Sequence, residues 1–380
     1  MKAPLYKEIY HFICEQIQSG ILNTGDRIPS EQELALQFNV SRITSKRALD
    51  ILAEQGVILR LQGKGSFVQS PHKLGIRPIG CHQRKPAAER KQKLLGLIVP
   101  DISDTFGMDL FVGFEGACSR QNINFMFRRS YGSLELENEA IASMLAAGVD
   151  GIGIMPLHGE SYSPAILQLL LEKFPVVIID RCYPGVSSCF IGTDNLESSK
   201  TATRYLLKNG HRNIAFLSPP VQSNSALDGR IQGMTLAYEE MGLRPDRSLW
   251  FDQISSTLPQ KNKSETIEAN VHILKEHFKN NPQITAVFAA EYNVALIAKK
   301  ALEGLSLKIP QDVSILCFDF PSRLDNDYEF THIKQNEVYI AEYAVDRLCH
   351  FQAHNACSFF LIPGKLRIGR STKAIALENH

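Results

Sequence analysis

From Leu94 onward the chain alternates short apolar runs with longer amphipathic stretches. LLGLIVP precedes FGMDLFVGFEGACSRQ, INFMF precedes LELENEAIASMLAAG, and DGIGIMP precedes SPAILQLLLEKF and VVIID. The rhythm returns in NIAFLSP, TAVFAAE and VSILCFD, each beside a helical pattern. Strands buried on both faces of a parallel sheet read as continuous apolar runs, with helices as crossovers between them. Two sets of such units predict two doubly wound α/β lobes.

The first 70 residues have another pattern. Ser30-Glu31-Gln32-Glu33 has the S-x-x-E form of a capping box and follows Pro29, so a helix should start there, run to about Gln37 and end at Asn39. Ser41 is a second N-cap, and Gly56 is the matching stop. VILRLQGKGSFV then reads as two strands joined by a glycine-rich tip. Residues 71–93 (PHKLGIRPIGCHQRKPAAERKQK) lack apolar periodicity and read as a linker. The expected division is therefore 1–70, a linker over 71–93, and 94–380.

Composition narrows this only slightly. Apolar content of 44% and charged content of 21% are those of a globular chain. No apolar run approaches the roughly 18 residues that span a bilayer, and MKAPLYKEIYHFICEQ has charges spread through it, which predicts a cytoplasmic protein without a membrane partner. The eight cysteines include no CxxC pair, and Cys81-His82 has no second ligand pair nearby, so neither a metal nor a cofactor is expected. Net charge is +1, but residues 71–93 hold seven Lys/Arg against one Glu, and residues 94–380 hold 26 bases against 32 acids. The basic excess beside the N-terminal unit suits either a solvated tether or one that attracts phosphate.

The second helix carries the sharper signal. At about 100° per residue, Thr44, Ser45, Ala48, Leu49, Ile51 and Leu52 fall on one side, and Arg42, Ile43, Lys46, Arg47, Asp50 and Glu54 on the other. Bases thus occupy the first two turns, where the helix dipole disfavours them by a few tenths of a kcal/mol each. An anionic partner would offset that cost. Two short helices at a tight turn, the second basic at its front, form a helix-turn-helix, and the strand pair with Lys64 at its tip forms a wing. A P-loop is excluded because GxxxxGK[ST] is absent.

The stretch SGILNTGDRIPSEQELALQFNVSRITSKRALDILAEQGVILRLQGKGSFV resembles the DNA-binding domain of the GntR family of bacterial transcription regulators. The resemblance implies an α+β winged helix-turn-helix with DNA contacts from Gln32, Ser41, Arg42, Thr44 and Lys46, and from Gln62, Gly63 and Lys64 on the wing. The family often has arginine at the positions of Gln32 and Lys46. Lysine lacks the planar fork that reads guanine bidentately. Ile43 faces outward, either to touch a thymine methyl or as a stray exposed apolar residue.

The region from Leu94 resembles the effector domain of LacI/GalR repressors, a type I periplasmic-binding-protein-like fold, in LIVPDISDTF, AGVDGIGIMP, VVIIDR, FIGTDN, LLKNGHRNIAFL, DGRIQGMTLAYEEMG, VSILCFDF, THIKQ and LRIGRST. A sugar pocket needs planar bidentate partners for adjacent hydroxyls and an apolar face for the ring. The family pattern maps such roles onto Asp104, Phe106, Asp180, Arg230, Asp319 and Gln335. The chain departs from the pattern at FAAEYN, where Glu291 and Tyr292 replace the Asn-Asp of many relatives, and at Gly107, where a second aromatic is lost. Arg128 and Arg129, at the end of INFMF, also fall where a cleft would open. An added acid, a tyrosine and these arginines would suit an altered sugar, a uronic acid or a glycoside.

An oxidoreductase on this fold would need GxGxxG after an early strand, and a hydrolase something like GxSxG; both are absent, so no enzyme is expected. A solute-binding protein would need a secretory signal where this chain has its DNA-binding unit. The combination resembles regulators of the arabinose-repressor type. It implies a homodimer on a palindromic operator, controlled by a sugar or sugar derivative. Repression relieved by the sugar is the expected sign, with activation, or a corepressor and a non-sugar effector, as the alternative.

Overall fold

In the computed structural model, residues 5–18, 21–23, 25–54, 57–61, 65–68, 92–157, 163–183, 185–220, 224–258, 263–321, 330–351 and 358–375 are described. The wing tip (Gln62, Gly63, Lys64), the expected stop at Gly56, and nearly all of the 71–93 linker with Cys81 and His82 lie outside them. Among the described residues, no helix is long and apolar enough to cross a membrane.

The N-terminal unit consists of α1 (Leu5–Gln18), α2 (Glu31–Gln37), α3 (Arg42–Glu54) and the antiparallel pair β1 (Ile58–Leu61) and β2 (Gly65–Val68). The capping box forms as the sequence predicts: Ser30 Oγ accepts from Glu33 N at 3.3 Å, and Glu33 Oε2 accepts from Ser30 N at 2.7 Å. Asn39 takes a left-handed φ of 51°, which reverses the chain between α2 and α3. Asparagine tolerates that region better than most side chains. Ile9, Ile13, Leu34, Leu49, Leu52 and Ile58 form one apolar core beneath both helices and the wing.

Two parallel sheets make up the rest. The first has the order β12-β7-β6-β5-β3-β4, with β3 at Leu94–Val99, β4 at Asn124–Arg129, β5 at Gly151–Ile154, β6 at Val176–Ile179, β7 at Cys189–Asp194 and β12 at Ser358–Pro363. The second runs β13-β11-β10-β9-β8, with β8 at Ile214–Leu217, β9 at Ala286–Ala289, β10 at Ser314–Phe318, β11 at Thr331–Lys334 and an antiparallel β13 at Lys365–Arg367. Helices α4 (Met108–Arg120), α5 (Leu134–Ala147), α6 (Pro164–Leu171) and α11 (Glu337–Cys349) pack on the first sheet. The second sheet carries α7 (Asn195–Lys208), α8 (Ser225–Glu240), α9 (Ser264–Asn280) and α10 (Tyr292–Glu303). The apolar runs VVII, IAFL, AVFA and SILCF are fully buried, which is why they show no alternation.

The chain passes between the lobes three times: from β7 into α7, from β11 into α11, and from β12 through Gly364 into β13. At the second passage Gln335 Nε2 donates to Asp319, and its Oε1 accepts from Thr193 Oγ1 of the first passage at 2.5 Å. The crossings are therefore tied together where the lobes meet.

Candidate functional site

On the DNA-binding unit, Ser41 Oγ accepts from Thr44 N at 3.2 Å and lies 2.8 Å from Thr44 Oγ1, so the two hydroxyls also cap α3. Arg42, Lys46, Ile43 and Gln32 are exposed together on one side. Ile43 is 80% exposed, an unusual cost for an isoleucine with nothing to cover it. Arg42 Nε lies 3.3 Å from Glu31 Oε2, leaving most of the guanidinium in solvent. Arg60 of β1 pairs with both Glu31 and Asp50. Sequence reading had not given Arg60 a role; it fastens the wing strand to α2 and α3 and neutralises the acid behind the basic front of α3. Arg47, also exposed, sits over the Tyr6 ring at 4.6 Å, whereas Arg42 and Lys46 stand beside Ile43 on this helix.

Between the two lobes lies a cleft of about 250 Å³. Phe106, Asp180, Arg230, Glu291, Tyr292, Asp319 and Gln335 all line it. Asp180 follows β6 and Asp319 follows β10, and both occupy the left-handed region at φ 70° and 64°. Asp180 N donates to Ile191 O of β7, and Asp319 N donates to Ile333 O of β11, each at 3.0 Å. The two carboxylates thus stand at equivalent strand ends of the two lobes. Holding a non-glycine residue in that region costs of order 1–3 kcal/mol, a strain typical of functional sites.

Arg230 is buried on α8. Its Nε donates to Asn195 Oδ1 at 2.8 Å, its Nη1 donates to Ala290 O, and its guanidinium lies 3.7 Å over the Phe318 ring. Asp319 is held by Gln335 Nε2 at 2.9 and 3.1 Å. Burial pushes the Asp319 carboxyl up to about 7, against the opposing pull of Arg230. Two residues after Gln335, Glu337 Oε2 accepts from Gly107 N at 2.6 Å and from Leu110 N at 3.3 Å. Gly107, at φ 96°, opens α4 with no side chain of its own to cap it, so Glu337 acts as the cap from across the molecule.

Two of the expected contact residues stand outside the cleft. Asp104 is exposed at the tip of the 101–107 turn and does not line the cleft; Ser103 N donates to Phe106 O, and that closure directs Asp101, Ser103 and Thr105 to the cleft instead. Arg128 is likewise exposed on edge strand β4 and outside the cleft. Successive strand residues point to opposite faces, and Arg129 takes the inward side, bonding Asp101 Oδ1 at 2.6 Å on the rim. Sequence reading missed Arg181, Asn224, Thr257 and Asn293. Arg181 follows Asp180 directly and bonds its Oδ2 at 3.0 Å, a signal present in VVIIDR; Asn224 hides as the N-cap of α8. Among the described residues, no group of three His, Cys, Asp or Glu is placed to hold a metal ion.

Residues 92–343 match the model of periplasmic binding proteins and the sugar binding domain of the LacI family, and residues 5–68 that of bacterial regulatory proteins of the gntR family. The arabinose metabolism transcriptional repressor of Halalkalibacterium halodurans is 26% identical over 82% of this chain and 80% of its own length. The fold is similar to that of transcription regulator CcpA of Lactococcus lactis, with TM-score 0.62 and 20% identity over 74% of this chain and 100% of that one. It is also similar to a LacI family transcriptional regulator from Enterococcus faecium with bound ribose, with TM-score 0.59 and 22% identity over 75% and 100%. The chain belongs to the family of periplasmic binding proteins and LacI-type sugar-binding domains, and carries a gntR-family module at its N-terminus.

Proposed function

We propose that this protein is a cytoplasmic transcription regulator that binds palindromic operator DNA as a homodimer and releases it when a small carbohydrate occupies the cleft. It acts by binding and catalyses no reaction. The observation that carries the reading is the pairing, in one chain, of a recognition helix exposing Arg42, Ile43 and Lys46 with a two-lobed cleft lined by Asp180, Arg230 and Asp319. Carboxylates at opposed strand ends accept hydroxyl protons, Arg181 and Gln335 fix the orientation of Asp180 and Asp319, and Phe106 offers an apolar face to a ring. The relatives named for arabinose metabolism and the ribose-bound neighbour support a sugar as the effector class. A ligand that prefers one lobe arrangement shifts the balance between DNA-competent and DNA-incompetent states by its differential affinity, typically about 1–3 kcal/mol.

DNA contacts are assigned to Gln32, Ser41, Arg42, Thr44, Lys46, Gln62, Gly63 and Lys64. Effector contacts are assigned to Phe106, Asp180, Arg230, Glu291, Tyr292, Asp319 and Gln335, with Arg181 and Asn224 added. The test is a thermal-shift screen of the full chain against mono- and disaccharides, uronic acids and purines. A sugar that raises the melting temperature supports the reading; stabilisation by a purine alone replaces the effector class, and silence across the panel removes the sensor.

A further inference from the structure

Glu291 takes the N-cap position of α10 yet makes no capping bond with its side chain. It lines the cleft, and its Oε1 is closed off from solvent without a hydrogen-bond partner of good geometry among the described residues; the Thr257 hydroxyl is the nearest side-chain donor to the carboxylate. The other carboxylates of the cleft are provided for. Asp101 bonds Arg129, Asp180 bonds Arg181, and Asp319 is held by Gln335. Arg230 acts on Glu291 through its charge and not through a hydrogen bond, since its Nε and Nη1 are already given to Asn195 and Ala290. The cleft is also small: about 250 Å³, below the roughly 300 Å³ at which pockets for drug-sized ligands begin. A single ring fits that space.

We propose that Glu291 selects the charge of the effector: its carboxylate receives an O–H or N–H donor from a single-ring polyol that is neutral or bears an ammonium group, and it turns away rings carrying a carboxylate or phosphate. This deepens the sugar-effector reading and rests on it. Arg181 completes the arrangement, because its Nη1 is buried without a partner and can donate to a ring hydroxyl. Arg181 is no receptor for an anion, because Asp180 already balances its charge through bonds of 3.0 and 2.9 Å. Arg128, the cation that would have favoured a uronate, stands outside the cleft. An acidic sugar would have to bring its carboxylate into a space where, among the described residues, Asp180, Glu291 and Asp319 face only two cations, Arg181 and Arg230, whose donors are largely engaged by Asp180, Asn195 and Ala290.

The experiment measures binding by calorimetry to the full chain and its Glu291→Gln variant. The probes are glucose, glucosamine and glucuronate, galactose, galactosamine and galacturonate, with ribose and arabinose as neutral pentoses. The expected result is binding of a neutral or amino sugar to the wild type, with the acidic sugars weaker by about 100-fold. Glu291→Gln should narrow that gap at least tenfold and raise the melting temperature of the ligand-free protein, because it removes a buried carboxylate whose Oε1 lacks a partner. Comparing each amino sugar with its neutral parent decides whether the donor is ammonium or hydroxyl. Acidic sugars that bind the wild type as tightly as neutral ones overturn the proposal, as does a gap unchanged in Glu291→Gln. Should that variant fold poorly, Glu291→Asn repeats the comparison. Failure of every carbohydrate, whatever its charge, overturns the sugar reading itself and this proposal with it.

Discussion

Replacing Arg230 by methionine keeps most of the side-chain volume and removes the guanidinium from the cleft. Two hydrogen bonds are lost, to Asn195 Oδ1 and to Ala290 O, together with the contact over Phe318. Hydrogen bonds to charged groups contribute about 1.5–3 kcal/mol each, and part of this is returned because the guanidinium no longer has to be desolvated. The expected net loss is about 3 kcal/mol. For a chain of this length, each kcal/mol moves the melting temperature by about 2 °C, so the effector transition should fall by about 6 °C. Burial pushes both Asp319 and Glu291 upward, and Arg230 is the cation that opposes this. The raised carboxyls ionise only as pH climbs, and the missing cation is felt most when they are charged. The loss should therefore be larger at pH 8 than at pH 6. Differential scanning calorimetry of both proteins at the two pH values measures it. A decrease below about 1 °C, or a loss greater at pH 6, would refute the assignment of Arg230 as counter-charge.

Glu137 is buried on α5, and burial pushes it up to about 7 against the opposing pull of Ser163 and the Leu157 backbone. A folded-state value above the unfolded one means that stability is lost as pH rises through about 7, so Glu137→Gln should stabilise by about 1–3 kcal/mol at pH 8 and little at pH 5; equal effects at both would contradict this. Gly233 lets α8 lie against α7, and a Cβ there would meet Leu196 O at 2.1 Å. Gly233→Ala should cost about 1–3 kcal/mol in urea unfolding, and an unchanged midpoint would count against that packing. Arg42→Ala should weaken operator binding by about 1–3 kcal/mol; equal affinity across a salt titration would remove α3 from the interface.

The two lobes were legible because buried parallel strands need uninterrupted apolar runs, and VVIID and VSILCFD place their aspartates at the strand ends without further information. The winged unit was legible for a local reason: the Ser30–Glu33 box and the Ser41 cap lie within three residues of their partners. What escaped depends on contacts distant in sequence. The bonds of Arg60 to Glu31 and Asp50, and of Glu337 to Gly107, join segments whose proximity no periodicity encodes. Asp104 and Arg128 lie outside the cleft for a different reason. Their segments are legible, but a turn closure and the alternation of an edge strand decide which residue faces inward, and one position either way reverses the answer.

The central claim is that occupancy of the cleft governs the grip on DNA. Its most direct test is fluorescence anisotropy of a palindromic operator, selected by the full-length protein from random duplexes and titrated with and without the sugar that stabilises the protein. The account predicts that saturating sugar weakens operator binding by at least about 5-fold, and that Arg230→Met binds the operator normally while losing this response. An operator affinity indifferent to a sugar that demonstrably fills the cleft would contradict it.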